Sequence, residues 1–221
     1  MASLSLNQNI PLATSAPMAA PISASSPGMP LIIMAMRKLR EAIVASSRVD
    51  DFAKTVYIFI VRTTILFGHP ESYHPALLHL IRRIHFARPL SKEEETEFIG
   101  YYILDLACRQ QDLADAFRVQ NIYNHRNGRI GMILTALVHG NWVLFGKAKA
   151  AGNVYEKRLI EWAGLRMTDH VVRCLGKSYL SVSKAYVEQC TGMPWERLKE
   201  SRKLLWTCEG QTVVIKQTKK L

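Results

Sequence analysis

The C-terminal part of the chain changes from a helical to an alternating pattern of apolar residues, and this change limits the fold more than any other feature. Helical patterns cover residues 155–175, 181–191 and 195–205. A β-hairpin is then predicted from Leu204–Cys208, a turn at Glu209–Gly210, and Gln211–Lys216, where period-two alternation appears. Helices followed by a two-stranded wing are the plan of a winged-helix domain. We therefore expect such a domain, with a basic tail, over residues 155–221.

The preceding part of the chain has the 3.6-residue periodicity of amphipathic helices. The predicted helices cover residues 37–46, 52–67, 75–86, 91–107, 112–121, 129–139 and 142–150. Asp50 is a predicted N-cap, and Ser91 with Glu94 forms a predicted capping box. Residues 52–67 are rich in β-branched side chains, which also permits a strand, but their length favours a buried helix. Helices in pairs indicate a helical-repeat region over residues 37–154 and a mostly α fold, although no clean repeat period is present.

The first 36 residues contain no charged side chain and are rich in Ala, Ser, Pro and Met. A secretory signal peptide needs a positive N-terminal region and a mitochondrial presequence needs arginines, so neither is predicted. We interpret residues 1–36 as a leader that is disordered or docks on a partner. Its end, residues 30–36, is too apolar for a plain linker and docks either on the protein's own surface or on a partner. No run of about 18 apolar residues is present, so no membrane partner is expected.

The formal net charge of +11 favours an anionic partner, either nucleic acid or an acidic protein. The alternative is a basic surface that only keeps the protein soluble. Clustered lysines and arginines indicate RNA binding, because they neutralise phosphates without needing a fixed geometry. The predicted nucleic-acid-binding residues are Arg82, Arg83, Arg126, Arg129, Lys177, Arg197, Lys199, Arg202, Lys203 and Lys216. Lys219 and Lys220 extend the last cluster, and Trp195 and Trp206 within it either offer stacking surface or belong to the core.

No catalytic constellation is visible, and we predict that the chain is not an enzyme and binds no cofactor. Walker, G-x-G-x-x-G and G-x-S-x-G motifs are all missing from the sequence. Four histidines, His69, His74, His79 and His85, lie close together in the sequence. Their spacing of five or six residues does not place them on one helical face, so no zinc site is predicted. The acidic run at residues 93–95 lies at a helix start, where carboxylates interact favourably with the helix dipole.

The four cysteines lack the spacing of a metal knuckle or of a disulfide framework. They are Cys108, Cys174, Cys190 and Cys208. We interpret them as buried free thiols in a reducing compartment.

The helix before the wing, residues 195–203, is the one that would read DNA in a winged-helix protein. It contains Glu196 and Glu200, which phosphates repel. Sequence-specific DNA binding is therefore disfavoured, and the same surface is suited to packing on a neighbouring subunit.

Residues 134–145 read Leu-Thr-Ala-Leu-Val-His-Gly-Asn-Trp-Val-Leu-Phe and resemble a helical-hairpin signature of the PCI-domain superfamily. Residues 177–179, Lys-Ser-Tyr, look like the segment that leads into the winged helix of that family. The resemblance covers residues 93–217. It is closest to the mRNA-export branch, which contains the germinal-centre-associated nuclear protein, and to the small-subunit branch of the proteasome lid, the signalosome and initiation factor 3. It implies a PCI-like fold, with helical-repeat hairpins followed by a C-terminal winged helix.

The resemblance also implies a function. It implies a non-enzymatic scaffold or adaptor subunit of a ribonucleoprotein assembly, located in the nucleus or nucleolus, with the cytoplasm as a further location. Winged helices of the family pack through their wings, which implies contacts from Trp206, Thr212 and Val214 to other PCI-type subunits. Members of the mRNA-export branch bind RNA across the basic winged-helix face. The alternative is a protein-only subunit of a complex of the lid, signalosome or initiation-factor type.

Overall fold

The computed structural model describes residues 28–216, and the predictions for residues 1–27, Lys219 and Lys220 lie outside these residues. The described chain is mostly helical and ends in a small three-stranded antiparallel sheet. The α-helices are α1 (Met29–Ala45), α2 (Asp51–Phe67), α3 (Pro70–His79), α4 (His85–Ala87), α5 (Lys92–Leu104), α6 (Leu113–Ile122), α7 (Gly128–His139), α8 (Trp142–Ala151), α9 (Val154–Ser178), α10 (Lys184–Thr191) and α11 (Trp195–Arg202). Two π-helical segments, π1 (Leu80–Ile84) and π2 (Asp105–Gln110), and three strands, β1 (Ser181–Ser183), β2 (Thr207–Glu209) and β3 (Thr212–Val214), complete the order. Within this described part, no helix is both long and apolar enough to cross a membrane.

Helix α1 begins at Met29, well before the predicted start at Arg37. Of the two alternatives for the leader, disordered or docked, disorder is therefore wrong for residues 29–36, which are helical. The buried residues of α1 are Met29, Met36 and Ile43, which recur at intervals of seven. Met36 and Ile43 of this narrow stripe join the larger core, whereas Leu31, Ile32 and Met34 of the predicted leader are exposed.

Local signals fix most helix ends in the part before α9. Asp50 accepts a hydrogen bond from the first turn of α2, which confirms it as the N-cap. Ser91 and Glu94 form the predicted capping box of α5. Residues 51–67 are helical, so the alternative of a strand is wrong. Gly68 ends α2 at a φ of +67°, a conformation that glycine adopts without steric cost.

The two π-helical segments interrupt helices that the sequence predicts as continuous. The predicted helix at 75–86 consists of the end of α3, π1 and α4, and the helix predicted over 91–107 changes to π2 after Leu104. A π-helical turn adds a residue to the repeat, so the side chains that follow point in new directions. Segment π2 begins at Asp105, whose side chain is completely buried.

Two hydrophobic cores share α9. The larger core belongs to the helices up to α8 and includes Leu159 and Ile160 from the first half of α9. The smaller core includes Val171 and Leu175 from the second half. It is completed by Val187, Trp195, Leu198, Trp206 and Val213. We call residues 171–216 the C-terminal unit. The predicted boundary at residue 155 falls at the start of α9, but the helix belongs to both cores.

Strand β3 lies between β1 and β2. In the hairpin, Glu209 pairs with Thr212. The turn is therefore Gly210–Gln211, one residue later than predicted, and Gly210 has a φ of +61°.

The sequence assigns residues 181–191 to one helix, and this is wrong for the first three residues. Ser181–Ser183 form β1, which pairs with β3. The Ser183 hydroxyl then accepts a hydrogen bond from the N–H of Tyr186 at 3.3 Å and is the N-cap of α10. Helix α9 continues to Ser178, beyond the predicted end of its helical pattern at residue 175.

Candidate RNA and protein interfaces

The C-terminal unit presents most of its predicted RNA-binding cations to solvent. Its exposed predicted residues are Lys177, Arg197, Lys199, Lys203 and Lys216. Lys177 lies in the last turn of α9, and Arg197 and Lys199 lie on α11. These cations belong to one small packed unit but not to one face of it, because Arg197 lines the groove beside Trp142, whereas Lys199 and Lys203 line a separate depression with Glu196 and Glu200.

Arg202 has a different environment from the other cations of α11. Its side chain is only 19% exposed and lies 2.6 Å from Asp169 of α9. It also donates a hydrogen bond to the carbonyl oxygen of Leu165 at 3.3 Å. Arg202 therefore links α11 to α9, and the carboxylate of Asp169 compensates the positive charge of Arg202.

The acidic residues of α11 are solvent-exposed. The side chain of Glu196 is 79% exposed, and Glu200 is exposed one turn later. Lys184 lies 3.7 Å from Glu196, which is a weak pairing. The helix thus presents both signs of charge, which suits docking along a nucleic-acid backbone poorly.

The remaining predicted cations lie on other elements. Arg82 and Arg83 are exposed on π1, and Arg82 donates to the hydroxyl of Tyr102 at 3.4 Å. Arg126 precedes α7, and Arg129 in its first turn lies 3.2 Å from Glu156. The predicted set is therefore distributed between the helical part and the C-terminal unit.

The aromatic residues of the C-terminal unit divide into a buried and an exposed pair. Trp195 and Trp206 are 1% and 9% exposed, so both belong to the core rather than to a stacking surface. Tyr179 and Tyr186 are 42% and 37% exposed. Sequence analysis names Tyr179 only as part of the Lys-Ser-Tyr segment and does not name Tyr186, although the nearby Lys177 and Lys184 are a signal that could have identified both as candidate binding residues.

The predicted protein contacts of Thr212 and Val214 cannot form by strand addition at these residues. Thr212 and Val214 lie on β3, which is hydrogen-bonded on both sides. The edges of the sheet are β1 and β2, so an added strand must pair with one of these. Thr212 is exposed and Val214 partly exposed, so they are available for side-chain contacts, whereas Trp206 supports the sheet from within.

A groove of about 500 Å³ lies between α8, the middle of α9 and the α10–α11 turn. Its apolar lining includes Trp142, Phe145, Leu165, Met167 and Met193. Lys149 and Arg197 add positive charge. Gly146 and Gly164 also line the groove, and a Cβ at either position would meet no other heavy atom of the described chain within 4 Å. Glu161 adds one negative charge to the lining, so the groove is a mainly apolar depression between the two cores.

Replacing Gly146 or Gly164 by alanine should stabilise the isolated protein by about 0.5–1 kcal/mol each, because glycine inside a helix costs that much relative to alanine. Thermal and urea unfolding measure the effect. Gly140→Ala is the matched control and should destabilise. Gly140 has a φ of +62°, and its Cβ would lie 2.5 Å from Nε2 of His170. A loss of stability in Gly146→Ala and Gly164→Ala would show that the groove is closed in solution.

The most buried polar cluster of the helical part is centred on Asp105. Its carboxylate accepts hydrogen bonds from the Tyr73 hydroxyl at 2.6 Å, from Arg109 at 2.6 and 2.7 Å, and from Gln110 at 2.8 Å. Nδ1 of His74 lies 3.0 Å away. Burial raises the pKa of Asp105, but these hydrogen bonds outweigh burial and hold the pKa below its usual value. The cluster joins α3 to π2, and its acceptor atoms are already occupied, so its role is structural.

The four histidines tested as a zinc site have separate partners. His69 lies 3.5 Å from Glu71, and His74 lies beside Asp105. His79 stacks on Tyr57 with ring centroids 4.7 Å apart, and Nδ1 of His85 accepts a hydrogen bond from the N–H of Leu90. Across residues 28–216, no group of three or more His, Cys, Asp or Glu side chains is arranged to hold a metal ion.

The cysteines are all free, but they differ in burial. Cys108 is buried as predicted, and burial raises its pKa to about 12. Cys174, Cys190 and Cys208 are only partly buried, so the prediction of buried thiols is wrong for these three.

Comparison with known proteins adds no family assignment: no protein-family model matches the chain, and no curated protein matches it significantly.

Proposed function

We propose that the chain is a non-enzymatic scaffold or adaptor subunit of a multiprotein ribonucleoprotein assembly, of the mRNA-export, ribosome or RNA-processing type. Its C-terminal unit and the groove beside it bind other PCI-type subunits, and its basic residues bind RNA. The assembly is nuclear or nucleolar, with the cytoplasm as a further location. The observation that carries the proposal is the exposed set of cations on a C-terminal unit whose order of elements is that of a winged helix.

The order of elements supports the PCI-like winged helix. Helix α9 is followed by β1, α10, α11 and the β2–β3 hairpin, and β3 pairs with both other strands. A winged helix has the same order, with its second and third helices between the first strand and the wing. The α7–α8 hairpin supports the resemblance of residues 134–145 to the PCI signature, because Gly140 forms its left-handed turn and Phe145 is buried.

Binding of a labelled single-stranded RNA to the full chain should weaken steeply as salt is added. Five exposed cations of the C-terminal unit give a slope of log affinity against log salt of about −3.5 if each neutralises one phosphate. The double variant Lys199→Glu, Lys203→Glu should reduce both the affinity and the slope. Fluorescence anisotropy over a salt series measures these quantities.

The matched control for the RNA measurement is a charge reversal away from the C-terminal unit. Lys38 is exposed on α1, so Lys38→Glu should leave the RNA affinity nearly unchanged. The RNA half of the proposal fails if the wild type does not bind at low salt, or if its affinity does not depend on salt.

The second candidate is a protein-only subunit of a complex of the lid, signalosome or initiation-factor type. The groove lined by Gly146 and Gly164 favours it, because two helix-interior glycines keep a space open that the described chain does not fill. Partner subunits that co-purify after nuclease treatment would support this candidate. The Gly146→Ala, Gly164→Ala double variant should lose partners that occupy the groove, and its higher expected stability excludes unfolding as the reason.

DNA reading and catalysis are less well supported than scaffolding. The exposed Glu196 and Glu200 on α11 oppose a DNA phosphate backbone. The buried titratable cluster at Asp105 is satisfied by hydrogen bonds within the protein. A DNA footprint that disappears on charge reversal of Arg197 and Lys199 would favour the DNA-binding alternative.

A further inference from the structure

The exposed tyrosine pair lies where α9 leads into β1 and α10. Tyr179 follows the last residue of α9, and Tyr186 lies in the first turn of α10. The ring centroids are 6.3 Å apart and the ring planes are inclined at 66°. The cap at Ser183 fixes the backbone of Tyr186, and the pairing of β1 with β3 fixes the segment between the rings. Two large rings are thus held at the surface by a rigid backbone, with their faces in different directions.

The surroundings of the pair are positively charged. Residues 170–187 contain Arg173, Lys177 and Lys184. The acids on either side of this segment have partners of their own, because Asp169 pairs with Arg202 and Glu188 accepts a hydrogen bond from the backbone N–H of Trp195. Lys216 belongs to the same place, because its N–H donates to the carbonyl oxygen of Leu180 at 3.1 Å. Lys177 and Lys216 are exposed. Tyr179 and Tyr186 therefore lie on a segment of the chain that contains or contacts these cationic residues.

Exposed aromatic rings beside cations have a known use in nucleic-acid recognition. The faces of unpaired bases stack on aromatic side chains while lysines and arginines hold the phosphates. In a duplex the base faces are covered by their neighbours, so the same rings offer a duplex much less. The buried tryptophans of this unit cannot take this role, which leaves the tyrosine pair as its stacking surface.

We propose that Tyr179 and Tyr186 stack on unpaired bases of single-stranded RNA while Lys177, Lys184 and Lys216 contact the flanking phosphates. Each ring serves a different base, because the rings are inclined to each other. This inference rests on the RNA-binding half of the proposed function and narrows its ligand to single strands. It assigns the stacking step to the α9–β1–α10 side of the unit. Glu196 of α11 lies 3.7 Å from Lys184 and is exposed, so it competes with an RNA phosphate for this cation.

The test compares two RNA probes on the full chain at one low salt concentration. One is a labelled uridine-rich single strand of about twelve nucleotides, within the site size of single-strand binding folds. The other is a blunt RNA duplex of the same length. Tyr179→Ala and Tyr186→Ala should each weaken single-strand binding by about fivefold or more and leave duplex binding nearly unchanged. Tyr179→Phe and Tyr186→Trp should keep the wild-type affinity, because stacking needs the ring and not the hydroxyl.

Two controls separate stacking from folding and charge. Tyr123 on the surface at the end of α6 is 37% exposed, as Tyr186 is, so Tyr123→Ala should not change RNA affinity. Lys177→Ala should make the salt slope shallower by about 0.7, whereas the tyrosine variants should keep the wild-type slope. The thermal unfolding temperatures of Tyr179→Ala and Tyr186→Ala should lie within a few degrees of those of Tyr179→Phe and Tyr186→Trp.

The possible failures are distinguishable. If the alanine variants bind the single strand as the wild type does, while Lys199→Glu, Lys203→Glu reduces binding, the stacking site is wrong and the proposed RNA function stands. Preference of the wild type for the duplex also overturns the stacking site alone. If the wild type binds neither probe at low salt, the RNA half of the proposed function is wrong, and the stacking site is wrong with it.

Discussion

Replacing Asp105 by alanine should lower the free energy of unfolding by about 3–5 kcal/mol, the usual cost of removing one partner of a buried ion pair. The carboxylate is completely buried and accepts hydrogen bonds from Tyr73, Arg109 and Gln110. Without the carboxylate, the buried Tyr73 hydroxyl loses its acceptor and the Arg109 guanidinium loses its counter-charge. Urea unfolding followed by far-ultraviolet circular dichroism measures the change.

The matched control is Asp115→Ala on α6. Asp115 pairs with Arg118, whose side chain is 68% exposed, so its loss should cost less than about 1 kcal/mol. The same experiment has a pH readout. Because the pKa of Asp105 is lowered on folding, its contribution is complete above the unfolded pKa of about 3.9 and is lost as the pH falls through the folded value. Asp105→Asn should therefore lack part of the wild-type loss of stability below about pH 4. Equal costs for Asp105→Ala and Asp115→Ala would contradict the structural role of the cluster.

Features that depend on neighbouring residues could be predicted from the sequence. The N-cap at Asp50, the capping box of Ser91 and Glu94, and the glycine ends of α2 and α7 each involve groups within a few residues of one another. The 3.6-residue periodicity of apolar side chains also predicts nearly all of the helices. The α-helical character of the chain and the final hairpin follow from such local patterns alone.

Features that depend on distant residues could not be predicted in this way. Strand β1 has only the sequence Ser-Val-Ser, and its partner β3 is some thirty residues further along the chain, so no local alternation reveals it. The Asp105 cluster includes Tyr73 from another helix. It also depends on a change to π-helix, which no residue pattern predicts. The start of α1 was missed because a run without charges resembles a disordered leader until its buried stripe is seen.

The candidate interface also depends on contacts between residues that are distant in the sequence. Sequence analysis predicts the cations only as a class, since a formal charge of +11 and clustered lysines are visible without a structure. It could not separate Arg202, which pairs with Asp169, from Arg197, which is exposed. Nor could it place Tyr179 next to Tyr186, because β1 and a cap lie between them. Which side chains remain available to a partner is decided by tertiary contacts.

Replacing Trp195 by alanine should destabilise the C-terminal unit by about 3–5 kcal/mol, the range for truncating a buried tryptophan. The side chain of Trp195 is 1% exposed. The backbone N–H of Trp195 donates to Glu188 at 2.8 Å, and alanine keeps this hydrogen bond, so the cost comes from the lost packing of the ring. The smaller core contains only seven buried residues, so one large side chain is a major part of it. The larger core does not include Trp195 and should remain folded. We therefore expect the variant to unfold in two steps.

Hydrogen exchange monitored by mass spectrometry tests the two-step expectation for Trp195→Ala. Protection should fall in β1, α10, α11 and the hairpin, and should persist in α2 and α5. The second half of α9 should follow the C-terminal unit, because Val171 and Leu175 pack there, whereas the first half should stay protected. Trp162→Ala is the control, since Trp162 on the same helix is 43% exposed and should cost little. Equal loss of protection along the whole chain would mean that α9 couples the two cores into a single cooperative unit, and any RNA or partner site on the C-terminal unit would then depend on the stability of the entire protein.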